Sequence, residues 1–206
     1  MKCINENCQK EIGEVKFCPY CGTKQTEKKD GEQAGKADSL FQTAKSYCVK
    51  HEFEKAVPYL LESARLGDSR AQGHLANFYA NGKGVERDEV KSFKWALAAA
   101  RQGNPFGQYL VGFYYLIGCK SVFPDDDQAF SWFKLSADQD YGYGLHYLGQ
   151  CYYCGVGVAK DEGIAYDYFR KAADRGHLRS KEIIAGETWS LMTPEWLEKV
   201  RKESAG

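Results

Sequence analysis

The sequence predicts an all-α fold, an α/α superhelical solenoid of stacked helix pairs, because it repeats itself at a regular interval. Three similar segments begin 37 and 36 residues apart, at 84–104, 121–141 and 157–177. Apolar residues in them recur at helical spacing, as Phe93, Ala96 and Ala100 do, and not at the alternating spacing of a strand. One helix pair cannot bury its own apolar face, so neighbouring pairs must stack to form the core.

Each repeat carries signals for the end of its first helix and the start of its second. A glycine after the last turn allows a left-handed exit from the first helix, at Gly82, Gly118 and Gly155. An aspartate can cap the second helix by accepting a hydrogen bond from an unpaired amide, at Asp88, Asp125 and Asp161. The run from Asp125 to Asp127 is therefore interpreted as a helix start and not as a metal or acid-base cluster.

These signals divide the larger part of the chain into units. We expect a solenoid over 38–185, with a tetratricopeptide-like pair at 38–67 and three longer repeats at 70–104, 106–141 and 143–177. Residues 186–206 are expected to form a C-terminal capping helix that starts at Thr193 and Pro194. Four side chains of this segment would cover the open end of the stack: Trp189, Leu191, Trp196 and Val200. The alternative is that the segment is a free peptide that binds a partner.

The three longer repeats resemble Sel1-like repeats. The best copy is LGQCYYCGVGVAKDEGIAYDYFRKAADRGH, at 148–177, which carries leucine-glycine, a tyrosine, Gly-x-Gly-Val, an aspartate and a final alanine pair with glycine. The resemblance implies a right-handed superhelix of helix pairs that serves as a scaffold for protein interaction.

Residues 1–24 predict a separate zinc ribbon, because they hold four cysteines in two pairs: Cys3 with Cys8, and Cys18 with Cys21. Four thiolates complete the closed tetrahedral shell of a structural zinc site and leave no open position for catalysis. So short a segment has little core, so one Zn²⁺ would supply most of its folding energy. The first pair has four intervening residues instead of two, which predicts an irregular first knuckle.

Residues 25–37 are charged and lack large apolar residues, so they predict a flexible linker. Lys24, Lys28 and Lys29 leave open the alternative of a nucleic-acid-binding arm.

Composition limits the classes of function. The 28 basic and 28 acidic side chains balance, so no global field draws the chain to nucleic acid or to an anionic membrane. We find no export signal and no apolar stretch long enough to span a membrane, so we expect a cytoplasmic protein with mostly reduced cysteines.

Tetratricopeptide-type spacing predicts which first-helix residues line the inner, concave face of the stack. Aromatic and aliphatic residues in the middle of this face favour binding of a protein or peptide partner, although packing against the next repeat or the chain's own linker is the alternative. The predicted groove residues are Asn77, Asn81, Tyr109, Phe113, Leu116, Ile117, His146, Gln150 and Tyr153.

The second Cys-x-x-Cys, Cys151 and Cys154, falls on repeat positions that hold no metal ligand elsewhere. We expect Cys151 to be a small core residue and Cys154 to lie near the groove, where it could approach Cys119. His177 is expected to be structural, since it lies in the turn between repeats.

The sequence nominates no catalytic residue, so we predict a non-enzymatic adaptor that binds a protein in the groove. Two alternatives remain: a nucleic-acid-associated regulator that reads with the zinc ribbon, and an enzyme with a composite site in the groove.

Overall fold

The computed structural model describes residues 27–186 and 193–204. The predicted zinc ribbon at 1–24, with Cys3, Cys8, Cys18 and Cys21, lies outside the described residues. Trp189, Leu191 and the side chain of Trp196 lie outside them too.

The described residues form ten helices and no named strand; Cys119 and Val122 form one isolated β-bridge. The helices are α1 Glu27–Val49, α2 Phe53–Arg65, α3 Ser69–Asn81, α4 Glu89–Arg101, α5 Pro105–Ile117, α6 Asp126–Ala137, α7 Gly142–Cys154, α8 Glu162–Asp174, α9 Leu178–Ile184 and α10 Pro194–Ser204. From α1 to α9, each helix packs mainly on its neighbours in the chain, and the first helices of adjacent repeats also touch. This arrangement is the predicted all-α solenoid.

The first helix corrects the prediction of a flexible linker over 25–37, because α1 already begins at Glu27. Its amino-terminal half is rich in Glu, Lys, Gln and Ala, which favour helix even where no apolar pattern is present. Tertiary packing then secures the helix from Ala37 onward. Ala37 is buried, and its carbonyl accepts a hydrogen bond from the Ser63 hydroxyl on α2 at 2.7 Å.

The predicted aspartate caps are present in all three repeats. The carboxylates of Asp88, Asp125 and Asp161 each accept a bond at 2.9 Å from the amide three residues later. The amide of each aspartate also donates to a tyrosine carbonyl near the end of the preceding helix, at 2.8 to 2.9 Å. Each aspartate therefore caps the start of the second helix of its repeat and ties it to the end of the first helix.

Small residues on the first helices allow close packing against large ones on the second. A Cβ atom added at Gly112 on α5 would lie 2.8 Å from the ring of Phe133 on α6, and one at Gly149 would lie 2.9 Å from Phe169. Both phenylalanines are completely buried or nearly so. The opposite sides of α3, α5 and α7 are then left to form the concave face.

Candidate interaction groove

Three neighbouring concavities lie along α3, α5 and α7. We call them the N-terminal, central and C-terminal concavities, with volumes of about 350, 430 and 650 Å³. Asn77 and Phe106 line both the N-terminal and the central concavity, and Tyr143 lines both the central and the C-terminal one. The shared residues make the three concavities one continuous groove.

The central concavity brings together five of the nine predicted groove residues. They are Asn77, Asn81, Tyr109, Phe113 and Ile117. Two charged residues from the α3–α4 connection and the start of α4 complete its rim, where Arg87 Nη2 lies 2.5 Å from Glu89 Oε1. The concavity thus has apolar walls beside a charged rim, which suits a segment that carries both kinds of side chain.

An aromatic cluster forms the wall between the central and C-terminal concavities. The ring centroid of Tyr109 lies 5.1 Å from that of Tyr143, 5.3 Å from Tyr147 and 5.9 Å from Phe106. These distances are within the range of favourable aromatic pairs. Burial raises the pKa of the Tyr109 phenol, which therefore stays protonated at neutral pH.

Three predicted groove residues are buried: Leu116 and Gln150 line none of the three concavities, whereas His146 lines the C-terminal one. Leu116 is 1% exposed, His146 is 2% exposed and Gln150 is 7% exposed. The remaining predicted residue, Tyr153, is half-buried, with the Lys160 ammonium 5.4 Å from its ring centroid.

The C-terminal concavity contains two histidines that share one serine. Nδ1 of His146 lies 2.8 Å from the Ser180 hydroxyl and Nδ1 of His177 lies 3.0 Å from it, with the rings stacked at 4.2 Å. The pKa of His146 is lowered to about 3 and that of His177 to about 4, mainly because both rings are buried. Ser180 is completely buried, so its hydroxyl cannot reach a substrate.

His177 has the structural role that its position in the turn predicts. It is the N-cap of α9, and its Nδ1 accepts from the Ser180 amide at 3.3 Å. The pair of histidines therefore positions α9 against α7.

The described cysteines are thiols and not disulfides. Cys151 is buried in the core, as predicted, and burial raises the pKa of both Cys151 and Cys154. The approach of Cys154 to Cys119 stays a prediction. Cys119 packs in the cluster with Tyr114, whereas Cys154 packs against the cluster that contains Cys151. Within the described ranges, no group of three or more His, Cys, Asp or Glu residues could hold a metal ion.

Among the described residues, the C-terminal helix has its main contacts with the middle repeat and not with α9, at the end of the stack. There α10 packs on α5, where Arg201 Nε donates to the Leu116 carbonyl at 2.8 Å and Leu197 is buried. Arg201 also forms an ion pair with Asp126 at the start of α6. Sequence reasoning considered only the apolar side chains of this segment and missed the arginine that directs it to the middle repeat.

Three aromatic residues of the groove were also missed, namely Phe106, Tyr141 and Tyr143. Each lies within two residues of the start of α5 or α7, at or before the first turn. The signal in the sequence that could have identified them is an aromatic residue next to the first residue of α5 or α7.

No helix in the described part of the chain has both the length and the apolar composition needed to cross a membrane.

The fold and the groove define an α/α repeat protein with a concave face. The family described as the Sel1 repeat matches residues 69–104, 105–141 and 142–177, which together cover more than half of the chain. The chain therefore belongs to the Sel1 repeat family. The three matches agree within one residue with the repeats expected from the sequence.

Individual relatives support the same conclusion. A Sel1 repeat protein from Oxalobacter formigenes has a similar structure, with a TM-score of 0.54 and 32% identity over 63% of this chain and 97% of that one. A protective antigen of uropathogenic Escherichia coli with an SLR fold gives a TM-score of 0.63 and 28% identity over 75% of this chain and 34% of that one.

A chitin synthase regulator of Saccharomyces cerevisiae is 33% identical over 41% of this chain and 12% of its own length. The chain thus spans only a small part of this curated relative.

Proposed function

We propose that this chain is a non-enzymatic scaffold that binds a segment of another protein in its groove. Sel1 repeat proteins are typically protein-interaction scaffolds, and this chain contains three such repeats. The observation that carries the proposal is the central concavity, in which Tyr109, Phe113 and Ile117 lie beside the Arg87 and Glu89 pair. Aromatic anchors in a concave site are typical of the residues that contribute most to binding.

Two further points support a binding function. The arrangement that most resembles a catalytic one, Ser180 between His146 and His177, is buried and positions a helix. The similar fungal protein is named a regulator of an enzyme, which fits a repeat that acts by binding. We also propose that the protein is cytoplasmic.

The proposal is tested by affinity capture from the native cell with quantitative mass spectrometry. Phe113→Ala removes an aromatic ring from the central concavity and should reduce recovery of the bound partner by about tenfold or more, as expected for loss of a binding hot spot. Phe123→Ala is the matched control, because Phe123 is 92% exposed and lies in the α5–α6 connection.

Both variants should retain the helical content of the native chain, measured by circular dichroism. If Phe113→Ala captures the same proteins in the same amounts as Phe123→Ala, the groove is not the binding site.

We further propose that Cys3, Cys8, Cys18 and Cys21 bind one structural Zn²⁺. The support is the spacing of four thiols in 1–24, which suits a closed tetrahedral shell. Metal analysis of the native chain should find one zinc per chain, and Cys18→Ser should lose it. Cys48→Ser, which changes a cysteine on α1, should retain it. Zinc that persists in Cys18→Ser would contradict the assignment.

A further inference from the structure

Four helices, α3, α5, α7 and α9, each place one residue in a row along the groove. Each of these residues follows the N-cap of its helix by two positions: Arg70, Phe106, Tyr143 and Arg179. Arg70 and Phe106 line the N-terminal concavity, Phe106 and Tyr143 the central one, and Tyr143 and Arg179 the C-terminal one. This row, which we call the N2 row, therefore has an arginine at each end and two aromatic residues between them.

The two arginines of the N2 row differ in whether the chain supplies them with a carboxylate. Arg70 Nη2 lies 2.6 Å from Asp38 Oδ1 and 2.6 Å from Asp68 Oδ2, and Asp68 is the N-cap of α3. The N-cap of α9 is His177 instead, and its imidazole is uncharged at neutral pH because burial lowers its pKa to about 4. Among the residues that the structure describes, the Arg179 side chain has no ion pair and no hydrogen bond. Arg179 is thus a groove cation that receives no carboxylate from this part of its own chain.

The other charges of the C-terminal concavity do not compensate Arg179. The one carboxylate among its described lining residues is that of Asp140, which pairs with Arg175. Since the histidines are neutral, the lining residues carry one net positive charge. The Arg179 charge acts within the concavity, because it adds to burial in lowering the pKa of His177. In the central concavity, by contrast, the one arginine and the one glutamate among the described lining residues balance.

Exposed apolar side chains adjoin this unpaired charge. Tyr143 and Leu178 line the same concavity and are 47% and 74% exposed. A guanidinium beside an aromatic and an aliphatic side chain is complementary to a carboxylate that is flanked by apolar side chains. Tyr143 also lines the central concavity, so a segment bound here can continue along the groove.

We propose that the C-terminal concavity binds an acidic and apolar segment of the protein partner, in which a glutamate or aspartate side chain pairs with Arg179. This inference rests on the proposed function and deepens it, because it states the chemistry of the partner at one end of the groove. Arg179 then acts in specificity, since a segment with a basic residue at that place is repelled.

The test begins with selection of short random peptides, displayed on phage, on the full chain. The native chain should enrich peptides that carry aspartate or glutamate next to an aromatic or aliphatic residue. The Arg179→Glu chain should enrich lysine or arginine at that place instead, because the charge that faces the peptide is reversed. Arg101→Glu is the matched control and should keep the acidic preference, since Arg101 is an exposed arginine of α4 that lines none of the three concavities.

A selected peptide, labelled with a fluorophore, then gives the size of the effect by anisotropy. Arg179→Gln should weaken its binding about tenfold, and so should replacement of the peptide's own acidic residue by the corresponding amide. The two changes together should cost no more than either one alone, because both remove the same ion pair. Arg101→Gln should leave binding unchanged.

Each chain variant should match the native chain in helical content, measured by circular dichroism. Selected peptides without an acidic preference, or with binding that is insensitive to Arg179→Gln, would overturn this inference. If Phe113→Ala still weakens the binding of such peptides, the proposed function stands without it. If the native chain selects no peptide, the proposed function and this inference both fail.

Discussion

The junction between α3 and α5 is open, whereas the equivalent junction between α5 and α7 is largely filled. At the open junction, α3 presents Gly73 and Ala80 toward the groove. At the same repeat positions α5 has Tyr109, which packs on rings of α7, and Leu116, which is buried. The backbone repeat is the same, so side-chain volume at a few positions decides whether a junction stays open or is filled by the protein's own side chains.

The largest effect on stability is expected from removing a large side chain that fills the α5–α7 junction. Phe133 is completely buried, touches Gly112 and stacks on Tyr147 at a centroid distance of 5.2 Å, whereas the first repeat has Ala96 at this position. Phe133→Ala should lower the free energy of unfolding by about 3–4 kcal/mol through lost burial and a cavity. Urea denaturation followed by circular dichroism measures it.

The control for this substitution is Phe123→Ala, at a side chain that is 92% exposed. It should change stability by less than about 0.5 kcal/mol. Equal losses in the two variants would mean that the α5–α7 junction does not stabilise the fold more than the surface does.

A smaller effect on stability is expected from pH, through the two histidines of the C-terminal concavity. The pKa values of His146 and His177 are lowered to about 3 and about 4, mainly by burial, with the Arg179 charge adding to the effect on both. These two histidines therefore bind protons more readily in the unfolded chain than in the folded chain. The stability that these histidines contribute is complete above about pH 6.5 and is lost as pH falls toward the folded-state values.

Between pH 7 and about pH 5.5 the two histidines should together lower the free energy of unfolding by on the order of 2 kcal/mol. His177→Asn keeps an N-cap acceptor for α9 and should remove about 1 kcal/mol of this loss, after allowance for solvent screening. Denaturant unfolding at several pH values measures the difference between the two chains. Identical pH profiles would show that His177 is not charged on unfolding in this range.

The smallest effect on stability is expected from filling the open junction. Ala80→Leu introduces into the central concavity the residue that the middle repeat has at this position, Leu116. Partner capture should fall by about tenfold, while the free energy of unfolding changes by less than about 1 kcal/mol. Ala98→Leu on α4 is the matched control and should retain capture. Undiminished capture by Ala80→Leu would show that the partner does not enter the central concavity.

Local signals account for the parts of the fold that were predicted correctly. Asp88, Asp125 and Asp161 cap the helices that they were expected to start, because capping depends on one side chain and amides three residues away. The linker prediction failed because low hydrophobicity was taken to mean disorder, although helix-forming residues and burial from Ala37 onward favour α1.

The groove was predicted only in part, and for a physical reason. Spacing along one helix identified its concave side, and this was sufficient for Asn77, Tyr109 and Phe113. Burial of Leu116 and His146 depends on side chains from α9 and α10, which are distant in sequence and have no periodic relation to the repeat.

The sequence by itself determined the solenoid, its register and the helix boundaries within the three repeats, since these follow from a period of 36 to 37 residues and from local capping. Only the tertiary structure decided which concave positions stay open and where α10 docks. Those outcomes depend on how side-chain volumes and charges from separate repeats meet in space, as at Asp126, where a proline in one repeat leaves a carboxylate for an arginine of the C-terminal helix.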